Sequence, residues 1–564
     1  MSARRILLLG GTGVFGKRLA RHLMTWEGIE LFVSSRTRAK ADRLARELTA
    51  GGGIAVHGVA LDHRVSLTCR LKEIRPFVVI DCSGPFQSAD HDTAEAILKA
   101  GAHLVDLADA RDYLMQFGSR LDPLARARGL SALTGASSTP TLSACVVEEL
   151  TAGWQRIDSI DICITPGGRS EVGRSVIEAI LSYAGKDVPV WRAGRVTQTT
   201  GWRDARRVDV PGLGRRRVAA VETWDAEYLG PRHRVQSRVS FAAGLESRIE
   251  QRGIELIAAL RKRHLLHDAA PLIPALLAAR QLTRLPTSDR GSMMVDIRGI
   301  DGGGRFTKAV WSLVARRDHG PFVPTLPAAA ALAKLLRGGV TPGAGLAHLQ
   351  LSLSDIQDQM APYDIETKTF VEQPEEGLFE RCLGAIEFAG VPEAVRAFHR
   401  TSAPVMWTGS AQIDGGRWFL PKLLARAFGL PSTGRDVPLT VQVERGLSKD
   451  GTPVERWTRH FGGQRMTSEL ACRRRGILTE RFGPFTFCLG LETGHAGIRM
   501  PVTGWKLGPL PLPRCLAPRS QTREFQDDAG RFRFDVRLSV PILGLLAHYR
   551  GQLEPRPPRP DPRG

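Results

Sequence analysis

The opening residues pass from an apolar run through a glycine-rich turn into an amphipathic stretch. Ile6 to Leu9 are all apolar, Gly10 to Gly16 contain four glycines, and Lys17 to Met24 have helical spacing. Buried parallel strands read as continuous apolar runs, whereas surface helices show an apolar stripe. The pattern therefore predicts a strand, a tight turn and a helix, in that order.

The same rhythm continues to about residue 150. Further strands are predicted at Ile29–Ser34, Ile54–Leu61, Phe77–Ile80, His103–Leu107 and Leu130–Leu133, with helices such as Arg38–Leu48 and Thr93–Lys99 between them. Strands that alternate with helices are typical of an α/β fold with a parallel sheet. We therefore predict an N-terminal Rossmann-like domain, a doubly wound parallel sheet over residues 1–150.

The middle of the chain mixes both periodicities. Its strands are predicted at Ser159–Thr165 and Arg234–Phe241, and its helices at Arg174–Tyr183 and Ile254–His264. This pattern predicts an α+β domain over residues 151–372 that serves substrate binding or dimerisation. The segment Ala269–Leu285 is read as a buried helix, with a lid or a lipid-facing helix as alternatives.

The last third changes character after the acidic, turn-rich stretch Gln373–Gly377. Short alternating strands follow two predicted helices, and turns such as KDGT and DDAG separate them, which predicts an antiparallel β-rich domain over residues 373–554. The tail, residues 555–564, is expected to be disordered. The elements are helices Pro392–His399 and Phe419–Phe428 and strands Leu439–Val443, Phe485–Leu489 and Phe532–Leu538.

Composition restricts the class of protein. The 564 residues are 42% hydrophobic and 24% charged, which is typical of a globular chain of several domains. No apolar run approaches the roughly 18 residues that a membrane-spanning helix needs. The eight cysteines include no C-x-x-C pair. We therefore expect a cytoplasmic protein with no metal site and no transmembrane segment.

The chain is strongly basic, with a net charge of +20 and clusters at Arg203–Arg207, Arg215–Arg217 and Arg473–Arg475. Nucleic-acid binders usually combine such charge with a recognisable reading element and stacking aromatics, and neither is visible. We therefore expect no nucleic-acid partner. Attraction to acidic substrates, or peripheral contact with an anionic membrane, stays open.

The glycine turn has the spacing of a dinucleotide-binding loop. In Gly11-x-Gly13-x-x-Gly16, one glycine allows a sharp turn, one lets the backbone approach a pyrophosphate, and one lets helix and strand pack closely. The helix that follows offers free N–H groups to phosphate. Because the motif lies between a predicted strand and a predicted helix, it predicts nucleotide binding.

The end of the second strand indicates which nucleotide. NAD sites usually carry an acid there to hold the ribose hydroxyls, but this strand ends in Ser34-Ser35-Arg36, and Glu30 lies at its other end. A guanidinium can hold the 2′-phosphate that an acid would repel. The sequence therefore predicts NADP as the cofactor, with Arg38 either a second phosphate contact or a surface residue.

Ligands of doubly wound sheets bind outside the carboxyl ends of the strands. The residues just past those ends are Asp62, Asp81 to Phe86, Asp106 to Asp109, and Gly135 to Ser143. Catalysis by hydride transfer often needs one proton donor beside the cofactor. We take His91, Asp106 and Asp109 as catalytic candidates, although Asp109 is explained equally well as a helix cap.

Several stretches occur in a familiar order: GGTGVFG, the closing serine and arginine of the second strand, VVIDCSGPF, GAHLVDLAD and GASSTPTLS. Together they resemble the saccharopine dehydrogenase-like family of NADP-binding oxidoreductases. Val295–Gly345 looks like the end of that family's second domain and its returning helix. The β-rich region resembles an uncharacterised domain often appended to such proteins.

The resemblance implies roles for the residues that match. The residues that would line the pyrophosphate are Gly10, Gly11, Thr12, Gly13, Val14, Phe15 and Gly16. Ser34 and Arg36 would contact the adenosine phosphate, and Asp62 the adenine end. The nicotinamide half would lie against Ser83, Gly84, Pro85 and Phe86. Phe86 is explained equally well as a core residue.

A short-chain dehydrogenase mechanism is disfavoured, because it needs a lysine four residues after a tyrosine. None of the five tyrosines has one; the nearest cases are Lys186, three residues after Tyr183, and Arg232, four after Tyr228. The favoured function is an NADP-dependent oxidoreductase, and the alternative is a non-catalytic NADP-binding sensor or scaffold. A lipid-like substrate is slightly favoured over a small polar one, and a homodimer is a further expectation.

Overall fold

The computed structural model describes residues 3–555 except 63–64, 66, 171–173, 204, 284–286, 304–305, 373–376, 401–405, 417–418, 420, 422–424, 426–429, 449–451, 495 and 542–543. The chain divides into two compact units. The first comprises Met1–Gly153, Ile160–Ile297 and Ala309–Val371, and the second comprises Trp154–Ser159, Arg298–Lys308 and Glu372–Gly564.

Residues 3–372 alternate strands and helices. The strands are β1 Arg4–Leu9, β2 Ile29–Ser35, β3 Val56–Ala60, β4 Val78–Asp81, β5 His103–Asp106, β6 Ser131–Thr134, β7 Arg156–Thr165, β8 Asp187–Arg192, β9 Arg195–Thr200, β10 Arg206–Val210, β11 Gly214–Ala220, β12 Arg238–Ala243, β13 Gly291–Ile300, β14 Phe306–Ala315, β15 Gly343–Leu346 and β16 Ile365–Glu372. The helices are α1 Val14–Leu23, α2 Arg38–Ala50, α3 Leu67–Ile74, α4 Asp92–Lys99, α5 Arg111–Ala127, α6 Ser143–Leu150, α7 Arg174–Tyr183, α8 Asp225–Arg232, α9 Arg248–Lys262, α10 Ile273–Thr283, α11 Leu326–Leu336 and α12 Leu353–Asp358.

The N-terminal sheet has seven strands in the order β15-β6-β5-β4-β1-β2-β3, and all its pairs are parallel. β1 lies at its centre, where Leu8 pairs with Val33 on one side and Ile80 on the other. Burial of both faces explains why β1 is a continuous apolar run. The predicted doubly wound parallel sheet is confirmed, and the order reverses between β1 and β4.

The seventh strand, β15, comes from much later in the chain. It pairs with β6, and the backbone N–H of Ala344 donates to Asp122 in α5 at 2.9 Å. The buried helix α11 precedes it within the stretch Val295–Gly345, where a returning helix is expected. A segment separated from β6 by the strands β7 to β14 therefore completes the N-terminal sheet.

The middle sheet has nine strands, seven of them in the order β10-β11-β12-β7-β13-β14-β16, while β8 pairs with β12 and β9. The mixed α+β character predicted for this region is confirmed. The apolar stretch from Ala269 ends in α10, and its buried residues Ala269 and Ile273 pack with Ile177, Leu181 and Ile257. Helix α10 thus has one packed side, but Pro274, Ala275, Ala278 and Ala279 are exposed, so the helix is only partly buried and not the fully buried helix that was expected.

The C-terminal region forms one antiparallel sheet of thirteen strands in the order β23-β24-β27-β28-β29-β17-β18-β19-β20-β21-β22-β25-β26. Its helices are α13 Leu378–Leu383, α14 Ala385–Ala389 and α15 Glu393–Arg400. The strands are β17 Met406–Gly415, β18 Gly434–Leu447, β19 Pro453–Phe461, β20 Gln464–Arg474, β21 Ile477–Phe482, β22 Phe485–Gly490, β23 Glu492–Gly494, β24 Gly497–Arg499, β25 Val502–Leu507, β26 Leu510–Pro511, β27 Arg519–Gln526, β28 Phe532–Val540 and β29 Gly544–Pro555.

This sheet curls on itself. The rings of Phe461 in β19 and Tyr549 in β29 are 5.5 Å apart, although β17 and β18 separate their strands in the sheet. The predicted antiparallel β-rich domain is confirmed. The expected boundary at 373–376, most of the helix predicted at Phe419–Phe428, most of the KDGT turn and the tail at 556–564 lie outside the described residues. Among the described helices, none has the length and apolarity needed to cross a membrane.

Candidate functional site

The glycine turn joins β1 to α1 at the point where the strand order reverses. Gly10 has φ +64°, and a Cβ there would lie 2.7 Å from the Ser83 Cα, in the turn after β4. A Cβ on Gly16 would lie 2.3 Å from the Gly10 carbonyl oxygen, so helix and strand touch there. Two of the glycines are therefore required by packing alone.

Gly13 differs from these two, because a Cβ there would have a single close neighbour. It would meet the Gly10 oxygen at 3.1 Å and no other described atom within 4 Å. Gly13 is also the N-cap of α1 and offers no capping side chain, and the first turn carries no acid. This exposed helix start is where a pyrophosphate can approach the backbone. Thr12, Val14 and Phe15 complete the turn, and the Thr12 hydroxyl donates to Ser35 at 3.2 Å.

The end of β2 carries one arginine that is available to a ligand. Arg36 is exposed, and no hydrogen bond or ion pair joins its guanidinium to a described residue. Arg38 is also exposed, but its Nε contacts both carboxylate oxygens of Asp42, at 2.8 and 2.9 Å. Ser34 is buried beside Gly11. Of the two arginines considered from the sequence, Arg36 is the one free to hold a phosphate.

Asp81, at the end of β4, organises the SGPF turn. Its Oδ1 accepts hydrogen bonds from the Ser83 N–H at 2.8 Å and the Ser83 hydroxyl at 2.5 Å. Gly84 and Pro85 are exposed, whereas Phe86 is buried and its ring lies 5.4 Å from that of Tyr113. The turn thus presents Gly84 and Pro85 outward, while the Phe86 ring packs in the core. Asp62 is half-buried two residues past β3.

Asp106 is fully buried at the end of β5. Its Oδ1 accepts from the Ala108 N–H, the Thr134 hydroxyl and the Gly135 N–H at 3.0, 2.8 and 2.9 Å. Burial raises the pKa of Asp106 to about 7, with the nearby Asp81 charge adding to the rise and the hydrogen bonds opposing it. Asp106 therefore ties the turns after β5 and β6 together.

His91 is buried just before α4. One ring nitrogen lies 2.9 Å from the Tyr113 carbonyl oxygen, and the ring stacks on Tyr113 with centroids 4.5 Å apart. Phe117 contacts its edge at 5.8 Å. These contacts are those of a residue that holds α4 against α5.

Of the three catalytic candidates, Asp109 is exposed, whereas His91 and Asp106 are buried. The Asp109 Oδ1 accepts from the Gln87 amide at 3.3 Å. Protein nevertheless surrounds it closely enough that desolvation raises the pKa of Asp109 above its usual value. A carboxyl that is both exposed and desolvated is a candidate proton donor, so Asp109 is the one of the three that a substrate could contact directly.

Tyr183 of the middle region lies close enough to Asp109 to be affected by its charge, and Glu222 lies close to Tyr183. Burial raises the pKa of Tyr183, at the end of α7, and the Asp109 charge raises it further. Burial also raises the pKa of Glu222, while the positive charge of Arg111 lowers it. Tyr183 entered the sequence analysis only as a tyrosine without its lysine partner. No signal along the chain placed Tyr183 near Asp109, because the two residues are far apart in the sequence.

The Arg111 guanidinium bridges α5 to α8. It contacts both carboxylate oxygens of Glu227, one of them at 2.9 Å, and also Asp112 at 2.7 Å. A paired, two-point contact of this kind fixes the direction of the arginine. Within the described ranges, no group of His, Cys, Asp or Glu has an arrangement that could hold a metal ion.

Comparison with known proteins gives matches to both halves of the chain. A family model for a domain of unknown function, DUF4166, matches residues 391–553. No curated protein matches. Among solved structures, apo saccharopine dehydrogenase (L-Glu forming) from Saccharomyces cerevisiae is 14% identical with a TM-score of 0.47, and the match covers 65% of this chain and all of that one.

Two further solved structures are similar over a comparable length. Amine dehydrogenase from Mycobacterium smegmatis is 12% identical, with 62% of this chain and 96% of that one covered and a TM-score of 0.34. GenD2 from gentamicin A biosynthesis, solved with NAD, is 12% identical, with 55% and 72% covered and a TM-score of 0.28. The similarity expected to saccharopine dehydrogenase is thus found, and the predicted appended C-terminal domain is confirmed by the family match.

Proposed function

We propose that this chain is an NADP-dependent oxidoreductase that reduces a polar double bond in the cleft beside Asp109. The observation that carries the proposal is the unpaired, exposed Arg36 guanidinium at the end of β2. A free cation at this position suits a 2′-phosphate, and the absence of an acid at this strand end removes the usual partner of NAD. The glycine turn would complete the nucleotide site, whereas Ser34 is only 1% exposed and would support the turn from behind rather than contact the phosphate.

The residues present fit such a cofactor. Gly13 leaves space for a pyrophosphate, α1 has no capping side chain, and the outward face of Gly84 and Pro85 would contact the nicotinamide half. When bound, NADPH supplies a hydride. Our proposed role for Asp81 is to hold the SGPF turn in place through its two hydrogen bonds to Ser83. Asp62 at the adenine end stays a prediction.

We assign the accompanying proton to Asp109. Because desolvation raises its pKa, its carboxyl holds a proton at a higher pH than an ordinary aspartic acid and can donate it to an oxygen or nitrogen. Tyr183 is the second donor at this wall. His91 and Asp106 are buried, so we propose that they act as positioning residues, which hold α4 and the strand ends around the cleft.

The charged lining supports a substrate that is polar at its reacting centre. Asp109, Glu222 and Arg111 would contact a carbonyl, imine or amine better than a hydrocarbon chain. The lipid-like substrate favoured from the sequence would need an apolar wall in addition to these charges. The two substrate classes can be compared in one assay, together with the possibility that the chain only senses the nucleotide.

The test is the oxidation of NADPH by the purified full chain, followed through the absorbance of the reduced nicotinamide. One panel contains 2-oxo acids with and without amines, and the other contains unsaturated acyl and ketone lipids in anionic liposomes. We expect turnover in the polar panel. Turnover with lipids alone would restore the lipid-like substrate. Tight NADPH binding without turnover in either panel or in cell extract would support the sensor.

A further inference from the structure

The curled C-terminal sheet of the second unit forms a partly open cavity. Its volume is about 140 Å³, and its wall is built mainly from inward-facing aromatic and aliphatic side chains. These side chains include Trp457, Leu470, Phe534 and Val536. Apolar cavities of roughly 150 Å³ in proteins stay dry and take up molecules such as benzene. The space therefore suits a small lipophilic molecule better than water.

One part of the wall is polar, and its charges compensate one another. Arg459 lies 3.2 Å from Glu480 and donates to Ser468 at 2.8 Å, and Ser468 donates to Glu480 at 2.6 Å. The guanidinium also lies 4.8 Å from the centroid of the Trp457 ring. The Arg459 and Glu480 side chains are only 14% and 16% exposed. An acidic ligand would thus find no uncompensated cation here.

A second carboxylate in the wall is paired as well. Glu524 and the buried His399 are hydrogen-bonded, and His399 stacks on Phe379 with centroids 3.6 Å apart. Ser520 and Thr522 hydrogen-bond to each other at 2.6 Å. The polar side chains of the wall are therefore mostly occupied within the protein, which leaves little to hold a charged group.

Tyr549 is the exception. It is buried in the cavity wall, and no hydrogen bond joins its hydroxyl to any described residue. Burial raises the pKa of Tyr549 to about 12, so the phenol keeps its proton at neutral pH. The Tyr549 oxygen is not among the fully buried polar atoms that lack a partner, so a molecule in the cavity can reach it and accept its hydrogen bond. Tyr549 thus offers a donor in a mainly apolar cavity whose other polar side chains are mostly hydrogen-bonded to one another.

We propose that the C-terminal sheet is a binding site for an uncharged lipophilic molecule whose single oxygen accepts a hydrogen bond from Tyr549. The ligand is a ketone, aldehyde or alcohol with an apolar body, and carboxylates of the same skeleton are rejected because burying their charge is costly. The site belongs to the second unit and is independent of the oxidoreductase proposed above. The proposal assigns a function to a region that matches a domain of unknown function.

The first experiment tests the class of ligand on the full chain. N-phenyl-1-naphthylamine, an uncharged apolar fluorophore, is added and its fluorescence increase recorded, and it is then displaced by geranial, geraniol or geranate, which share one skeleton. We expect the aldehyde and the alcohol to displace the fluorophore at concentrations at least about tenfold lower than the carboxylate. No binding of the fluorophore, or stronger displacement by geranate, would overturn the proposal.

The second experiment locates the site. Leu470→Trp fills the cavity and should abolish fluorophore binding, whereas Leu510→Trp, at a position 65% exposed, should not. Tyr549→Phe keeps the ring, so we expect an unchanged melting temperature and unchanged fluorophore binding, but about five- to tenfold weaker geranial. This variant decides the proposal even if Leu470→Trp fails to fold. Equal geranial affinity in wild type and Tyr549→Phe would refute the role of the hydroxyl.

Discussion

The Thr134 hydroxyl, at the end of β6, donates a 2.8 Å hydrogen bond to the buried Asp106 carboxylate at the end of β5. Two backbone N–H groups, from Ala108 and Gly135, donate to the same oxygen. One carboxylate therefore fixes the turns after two neighbouring strands, and its protonation state is linked to the stability of the N-terminal sheet.

The first prediction concerns that linkage. The pKa of Asp106 in the folded chain, about 7, lies above its ordinary value, so the folded state binds the proton more tightly. This contribution to stability is fully present below about pH 4 and is lost as the pH rises through about 7. In urea denaturation, we expect the stability of wild type relative to Asp106→Asn to fall by up to about 1.4 kcal/mol per pH unit in this window.

The control for this measurement is Asp112→Asn, because the Asp112 side chain is 80% exposed. Its stability relative to wild type should stay nearly constant over the same pH range. A constant difference for Asp106→Asn as well would mean that Asp106 is already ionised throughout.

The second prediction concerns the glycine turn. In Gly13→Val the new side chain occupies the open space at the start of α1, so nucleotide binding should be lost while the melting temperature changes little. Isothermal titration calorimetry with NADPH measures the affinity. Gly253→Val is the matched control, because a Cβ there meets nothing within 4 Å and Gly253 lies in α9. Normal NADPH binding by Gly13→Val would place the nucleotide site elsewhere.

The third prediction concerns the preference for NADPH over NADH. Arg36→Ala should remove most of it, since a charge-assisted contact contributes about 1.5–3 kcal/mol, or roughly tenfold to a hundredfold in affinity. Arg38→Ala should change it little, because Arg38 is occupied by Asp42. Equal affinities of wild type for both nucleotides would contradict the proposal.

The fourth prediction separates chemistry from binding. Asp109→Asn should lower kcat by about 10²- to 10⁴-fold, the usual contribution of a general acid, and leave the Kd for NADPH unchanged. Tyr183→Phe should lower kcat less. Single-turnover oxidation of NADPH with the substrate found in the panels gives the rate of the chemical step. Full activity of Asp109→Asn together with inactivity of His91→Asn would move the role to His91.

The sequence predicted the parts of the fold whose patterns are local. β1 was predicted as a parallel strand from its continuous apolar run, which reflects the burial of both its faces. The predicted helix Arg174–Tyr183 has the same bounds as α7. The strand β15 was not predicted, since GAGL at the edge of a sheet is too short and too weakly apolar to be recognised. Its position depends on a pairing with β6 that no local pattern encodes.

In the candidate site too, the sequence predicted the local features but not the contacts between distant residues. The spacing of Gly11, Gly13 and Gly16 is local and identified the turn, but it could not distinguish the glycines that packing requires from the one that leaves open space. Nor could it choose between core and ligand for Phe86, which the structure packs against Tyr113. Tyr183 and Asp109 belong to different regions of the chain, so only the three-dimensional packing reveals that they lie close together.

The late arrival of β15 has a consequence for synthesis on the ribosome. The Ser131 hydroxyl donates to the Thr341 carbonyl oxygen at 3.2 Å across 210 residues of chain. At roughly 5–20 residues per second, translation of that interval takes on the order of tens of seconds. During this time β6 has an unpaired edge, which is a site for wrong strand pairing. The nascent chain therefore needs protection of that edge, by a chaperone or by its own middle region, until Gly343–Leu346 emerges.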